Sequence, residues 1–135
     1  MSQLFYLCGD LISIDFSGLN TENVKDMSRL LFACRKLNSV NININTKNVI
    51  SMKMMFDGCR LLRSIDVSKF DTQNVIDMGY MFSESGFYKL NLSNFNTKNV
   101  ISTEHMFRDN ENLEELDISN FDTSNVKDMN GMFSS

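Results

Sequence analysis

The sequence predicts a repeat solenoid in which each unit of 25 or 26 residues contributes a parallel strand and a short capped helix. Three observations predict it. The string T-x-N-V recurs at Thr21, Thr46, Thr72, Thr97 and Thr123, at steps of 25, 26, 25 and 26. Ahead of each copy stand two apolar residues two apart: Ile14 and Phe16, Val40 and Ile42, Ile65 and Val67, Leu90 and Leu92, Leu116 and Ile118. Behind each copy apolar residues recur at i, i+3 and i+4, as in Met27, Leu30, Leu31 and Met78, Met81, Phe82. A unit this small cannot bury its apolar face alone, so the units must stack.

Taken in order, the apolar pair two residues apart is one face of a short strand. The outward residue between its members is Asp15, Asn41, Asp66, Asn91 or Asp117, and this alternation keeps like charges off neighbouring strands. A turn at D/N-T-x-N follows, whose second Asn is expected to bond its own turn and the next one in an internal Asn ladder. Asp26, Ser51, Asp77, Ser102 and Asp128 come next, residue types suited to cap a helix of about two turns. That helix is expected to end near Cys34, Cys59, Ser85 and Asn110.

The period reads best as 26 with two one-residue deletions, one between Val40 and Thr46 and one between Ser85 and Leu90. The expected division is one solenoid domain over 1–135: a partial unit at 1–10, repeats at 11–36, 37–61, 62–86 and 87–112, and an incomplete last repeat at 113–135. Met1 shares the phase of Met27, so the chain is expected to start and stop inside a helix of the same kind, as a cut through a longer array. Composition agrees with the repeat. The chain has ten Met, eleven Phe and no Pro or Trp, and all these Met and Phe except Met54 and Phe32 fall on repeat-phased apolar positions.

The copies resemble the 26-residue bacterial surface-protein repeats grouped with BspA-like leucine-rich repeats. The resemblance rests on LDISNFDTSNVKDMNGMF at 116–133 and IDVSKFDTQNVIDMGYMF at 65–82, and it covers nearly the whole chain. It implies a right-handed leucine-rich-repeat-like solenoid in an adhesin-like surface or secreted protein that binds other proteins, host or cell-surface ones included. It implies no catalytic residue. The chain itself shows no signal peptide or anchor, so a surface location is expected from the resemblance alone.

Other chemistry is weakly signalled. A net charge of -4 gives no basic stripe for nucleic acid, and no run of 18 apolar residues suits a membrane helix. Carboxylate and amide columns could collect calcium, but the same residues serve turns and caps, and no cofactor or metal is expected. Cys8, Cys34 and Cys59 share one phase and read as a buried thiol column rather than a bridge. The single histidine, His105, sits at an outward helical position with no thiol partner, so no enzyme is expected. The candidate partner contact is Ile50, Ile76 and Ile101, a column flanked by Lys25 and Lys127. It reads either as an exposed apolar stripe or as β-branched residues suited to a strand and covered by a loop.

The functional expectation is a non-catalytic protein-interaction module of an adhesin-like surface protein. Its alternatives are an intracellular interaction scaffold and a repeat fragment without independent function. Exposed core and unpaired edges at the ends predict end-to-end self-association.

Overall fold

Thr21, Thr46, Thr72 and Thr97 are buried in the computed structural model, which describes all 135 residues. Each hydroxyl donates to the carbonyl of one residue in the next sequence copy and accepts that residue's own N–H. The pairs are Thr21 with Asn45, Thr46 with Asp71, Thr72 with Asn96 and Thr97 with Asp122, at 2.7 to 3.0 Å. A buried hydroxyl needs a partner, and here one side chain satisfies two backbone groups. The partner residue's side chain meanwhile accepts the N–H two residues on, as Asn45 does from Lys47 and Asp71 from Gln73. The Asn of T-x-N-V reaches backwards instead: Asn48, Asn74, Asn99 and Asn125 donate to the carbonyls of Glu22, Lys47, Gln73 and Lys98. All four are exposed, so the expected internal Asn ladder is a surface one.

The expected strand-plus-helix solenoid of leucine-rich-repeat type does not form. The regular elements are four three-residue strands, β1 (Ser13–Asp15), β2 (Ser39–Asn41), β3 (Lys89–Asn91) and β4 (Glu115–Asp117), and no residue is helical. They make two separate parallel pairs, β1 with β2 and β3 with β4, Ile14 facing Val40 and Leu90 facing Leu116. The strand expected at Ile65 to Val67 is absent. The two one-residue deletions fall on either side of it, and Tyr88 still donates to the Arg63 carbonyl at 3.2 Å, so one bond of the expected ladder remains where the strand is missing.

Where helices were expected, the backbone makes turns whose N–H groups alternate between two destinations. Leu30, Phe32 and Cys34 donate to carbonyls three residues back, at Met27, Arg29 and Leu31. Met27, Arg29, Leu31 and Ala33 donate instead to Ser51, Lys53, Met55 and Asp57 in the next copy, at 2.7 to 3.0 Å. An α-helix sends every N–H back to its own fourth preceding carbonyl, so this alternation excludes one. The alternation also requires the left-handed conformation at Gln3, Arg29, Met54, Tyr80, His105 and Gly131, and again at Leu7, Ala33, Gly58, Glu84 and Asp109. The expected helix caps serve other ends. Asp26, Ser51, Asp77, Ser102 and Asp128 form a column of isolated parallel bridges, and each side chain accepts the N–H two residues on.

Side chains from all walls meet in one core that includes Met27, Met52, Met78, Val49, Val75 and Val100. Phe56, Phe82, Phe107 and Phe133 stack in series at centroid distances of 5.6, 6.0 and 5.5 Å.

Candidate functional site

Ile50, Ile76 and Ile101 lie on one wall and are 40, 40 and 41% exposed. Their backbones are bonded in series, since Ile50 donates to Lys25, Ile76 to Ile50, Ile101 to Ile76 and Lys127 to Ile101, at 2.8 to 2.9 Å. The three residues named from sequence are therefore brought together, as a half-exposed stripe ending in a lysine on each side. No loop buries them.

A polar cleft of about 380 Å³ is lined by Arg60, Glu84, Ser85, Asp109, Glu111 and Asn112. Arg60 is ion-paired to Glu84, and the Arg108 Nε lies 2.9 Å from the Asp109 carboxylate. Asp57, which sequence reasoning missed, is buried close by. Burial, with the Glu84 charge adding to it, pushes its carboxyl up to about 7 against the opposing pull of Arg108, Arg29 and Arg60. The only sequence signal was a carboxylate in a column otherwise held by Tyr6, Phe32, Ser83, Arg108 and Ser134.

All three cysteines are free thiols, and the two buried ones, Cys34 and Cys59, have a structural task. Cys34 donates to the Phe5 carbonyl and Cys59 to the Leu31 carbonyl, both at 3.2 Å. Ser85 and Asn110 do the same for Phe56 and Phe82, both at 2.8 Å. The position thus selects a hydrogen-bond donor, and burial pushes the Cys34 thiol up to about 11, far from thiolate chemistry. His105 sits in a left-handed turn with its ring 4.8 Å from that of Tyr80. Its Nδ1 is 3.4 Å from the Ser134 hydroxyl, which also donates to the Gly131 carbonyl at 2.9 Å.

The two ends of the stack differ from its middle. At the last copy Met129 and Phe133 are 47 and 59% exposed, whereas their counterparts Met78 and Phe82 are fully buried. The Thr123 hydroxyl, the Lys127 carbonyl and the N–H groups of Gly131, Phe133 and Ser135 have no protein partner. At the first copy Leu19 is 47% exposed while its counterpart Phe95 is buried, and the N–H and carbonyl of Asn20 and the N–H of Lys25 are unpaired. Only the turn side of this end is covered. Gln3, Phe5 and Leu7 donate across it to the carbonyls of Ser28, Leu30 and Phe32.

Compared with known proteins, residues 1–115 and 61–135 both match the family described as Mycoplasma protein of unknown function, DUF285. Together the two matches span the chain. The chain belongs to the DUF285 family. No curated protein and no solved structure matches it. The match overturns the resemblance to BspA-like leucine-rich surface repeats, as does a DUF285 chain built of two small parallel sheets without helix. The adhesin-like interaction module that rested on that resemblance falls with it, as does the interaction scaffold offered as its alternative, for DUF285 carries no assigned function. In this DUF285 member no helix is long and apolar enough to cross a membrane.

Proposed function

We propose that the chain is a non-catalytic building element that associates end to end with further copies of itself. The observation that carries this reading is the contrast between ends and middle. Met129, Phe133 and Leu19 are about half exposed, while the residues of the same phase inside the stack are buried. Apolar surface of this kind, next to unpaired N–H and carbonyl groups, is the usual template for another chain. The non-catalytic part of the reading is supported by the chemistry of the nucleophile candidates. Cys34 is held as a thiol, and the Ser134 hydroxyl sits against the Gly131 carbonyl with no carboxylate to orient His105.

Sedimentation velocity over a wide concentration range tests the proposal, with Ile76→Asp beside the parent chain. The expected result is concentration-dependent growth in both, because Ile76 lies on the wall and not at an end. A strictly monomeric parent overturns the reading. So does association that Ile76→Asp abolishes, which would place the contact on the isoleucine stripe.

A further inference from the structure

Where the turn wall leads back to the strands, one layer of the stack is a residue shorter than its neighbours. Arg60 and Leu61 stand between Cys59 and the buried Leu62, and Glu111 and Asn112 between Asn110 and Leu113, but Gly86 alone separates Ser85 from the buried Phe87. The missing residue leaves a notch, and the polar cleft of about 380 Å³ lies in it. The three layers that bound it, 59–63, 84–87 and 109–113, are all supplied by this chain. Its floor is fixed. Gly86 donates to the Cys59 carbonyl and Arg63 Nη1 donates to the Gly86 carbonyl, both at 3.1 Å, and a Cβ on Gly86 would collide with the Arg60 carbonyl oxygen. Ser85 donates its N–H to Asn110 Oδ1 at 3.1 Å and its hydroxyl to the Phe56 carbonyl at 2.8 Å. No side chain can fill the notch from below.

The two walls carry opposite charge. Arg60 and Arg63 come from the layer on one side, Asp109 and Glu111 from the layer on the other, and Glu84 between them is paired to Arg60. With Arg108 on Asp109, three guanidiniums balance three carboxylates. The cleft is therefore neutral as a whole and polarised across a width of about 10 Å, the backbone separation of two layers with a third between them. A single cation or anion gains on one wall and loses on the other, whereas a molecule with a charge of each sign gains on both. No apolar side chain lines the cleft, and its volume is near the lower end for small-molecule sites. The fitting occupant is small, polar along its body and charged oppositely at its two ends. Arg60 keeps donors beyond those it gives Glu84, a planar fork suited to a carboxylate, and the carboxylates opposite accept from an ammonium.

We infer that this notch binds a free α-amino acid with a polar side chain, its carboxylate on Arg60 and its ammonium on Asp109 and Glu111. The site shares no residue with the surfaces that end-to-end association uses, so either can fail while the other stands.

Calorimetric titration of the full chain with the common amino acids, serine, asparagine and glutamine first, tests the assignment. The expected result is saturable binding of one molecule per chain by at least one of these three, with a dissociation constant of about 1 mM or tighter. Acetate and methylamine carry one charge each and should bind at least about tenfold more weakly. Arg60 and Glu111 are exposed, so Arg60→Gln and Glu111→Gln should leave urea unfolding unchanged while each weakens binding about tenfold or more. Lys36→Gln, outside the cleft, should change neither. On titration the amide resonances of Ser85, Gly86 and Asn112 should move most. A chain that takes up none of the common amino acids overturns the assignment. So does binding that acetate or methylamine matches, which makes the cleft a plain ion site, and binding that survives both substitutions, which places the ligand elsewhere.

Discussion

Thr103 occupies the place that methionine holds at Met27, Met52, Met78 and Met129, and its buried hydroxyl has no partner. Its burial to 2% exposure makes this a cost without return. Thr103→Val keeps the shape and removes the hydroxyl, and should stabilise the chain by about 1 kcal/mol in urea unfolding. A loss of stability would show that the hydroxyl has a partner after all. Asp57 is the other costly residue. Its carboxyl titrates near 7 when folded and near the ordinary carboxylate value of 3.8 when unfolded, so the folded state holds its proton longer. Stability is therefore full below about pH 4 and falls as pH rises to about 7, by at most about 4 kcal/mol for this group. Asp57→Asn should flatten that slope in urea titrations at pH 4.5 and 7, and an unchanged slope would clear Asp57 of the effect.

At the scale of elements, the turn wall decides what could be read from sequence. Core burial at Met27, Leu30, Leu31 and Cys34 was legible because a four-residue turn, repeated, sends i, i+3 and i+4 inward just as a helix does. The two backbones differ in where the N–H groups go, and side-chain spacing carries no record of that. Glycine would have given the left-handed positions away, but only Gly58 and Gly131 mark them, and Arg29, Met54, Tyr80 and His105 do the same job unannounced. The sheet break at Ile65 was hidden for a different reason: Ile65 and Val67 carry the same strand pattern as the four copies that do pair. Arg29→Gly separates turn from helix by sign. At φ 55° glycine relieves strain and should stabilise by about 1 kcal/mol, where a helix interior would lose a similar amount. Far-ultraviolet circular dichroism should lack the helical double minimum, and its presence would contradict the turn wall.

For the whole molecule, each copy leans on the one before and the one after, so stability should be graded along the stack. Amides of Met55, Phe56 and Val75, with ordered neighbours on both sides, should exchange slowest, and those of Val126 and Met132 at the last copy fastest in dilute solution. Uniform protection from end to end would contradict that gradient. That Ile50, Ile76 and Ile101 share one wall was legible from their common phase, whereas their exposure was not, because spacing does not say whether a loop covers them. That residues 1–9 repeat the phase of 129–135 was legible too, from Met1, Met27 and Met129, but the left-handed turns at Gln3 and Gly131 in place of a helix were not.

The turn wall has an electrical consequence. Its bonds between copies all run one way, from Arg29 to Lys53, Met54 to Gly79, Tyr80 to Glu104 and His105 to Asn130. Peptide moments of about 3.5 D each therefore add along the stack on this wall, as they do along a helix. A wall with no helix should thus carry a helix-like moment, opposed only in part by the bonds from Ile50 to Lys25, Ile76 to Ile50 and Ile101 to Ile76, which run the other way, and the chain should turn to align in an applied field.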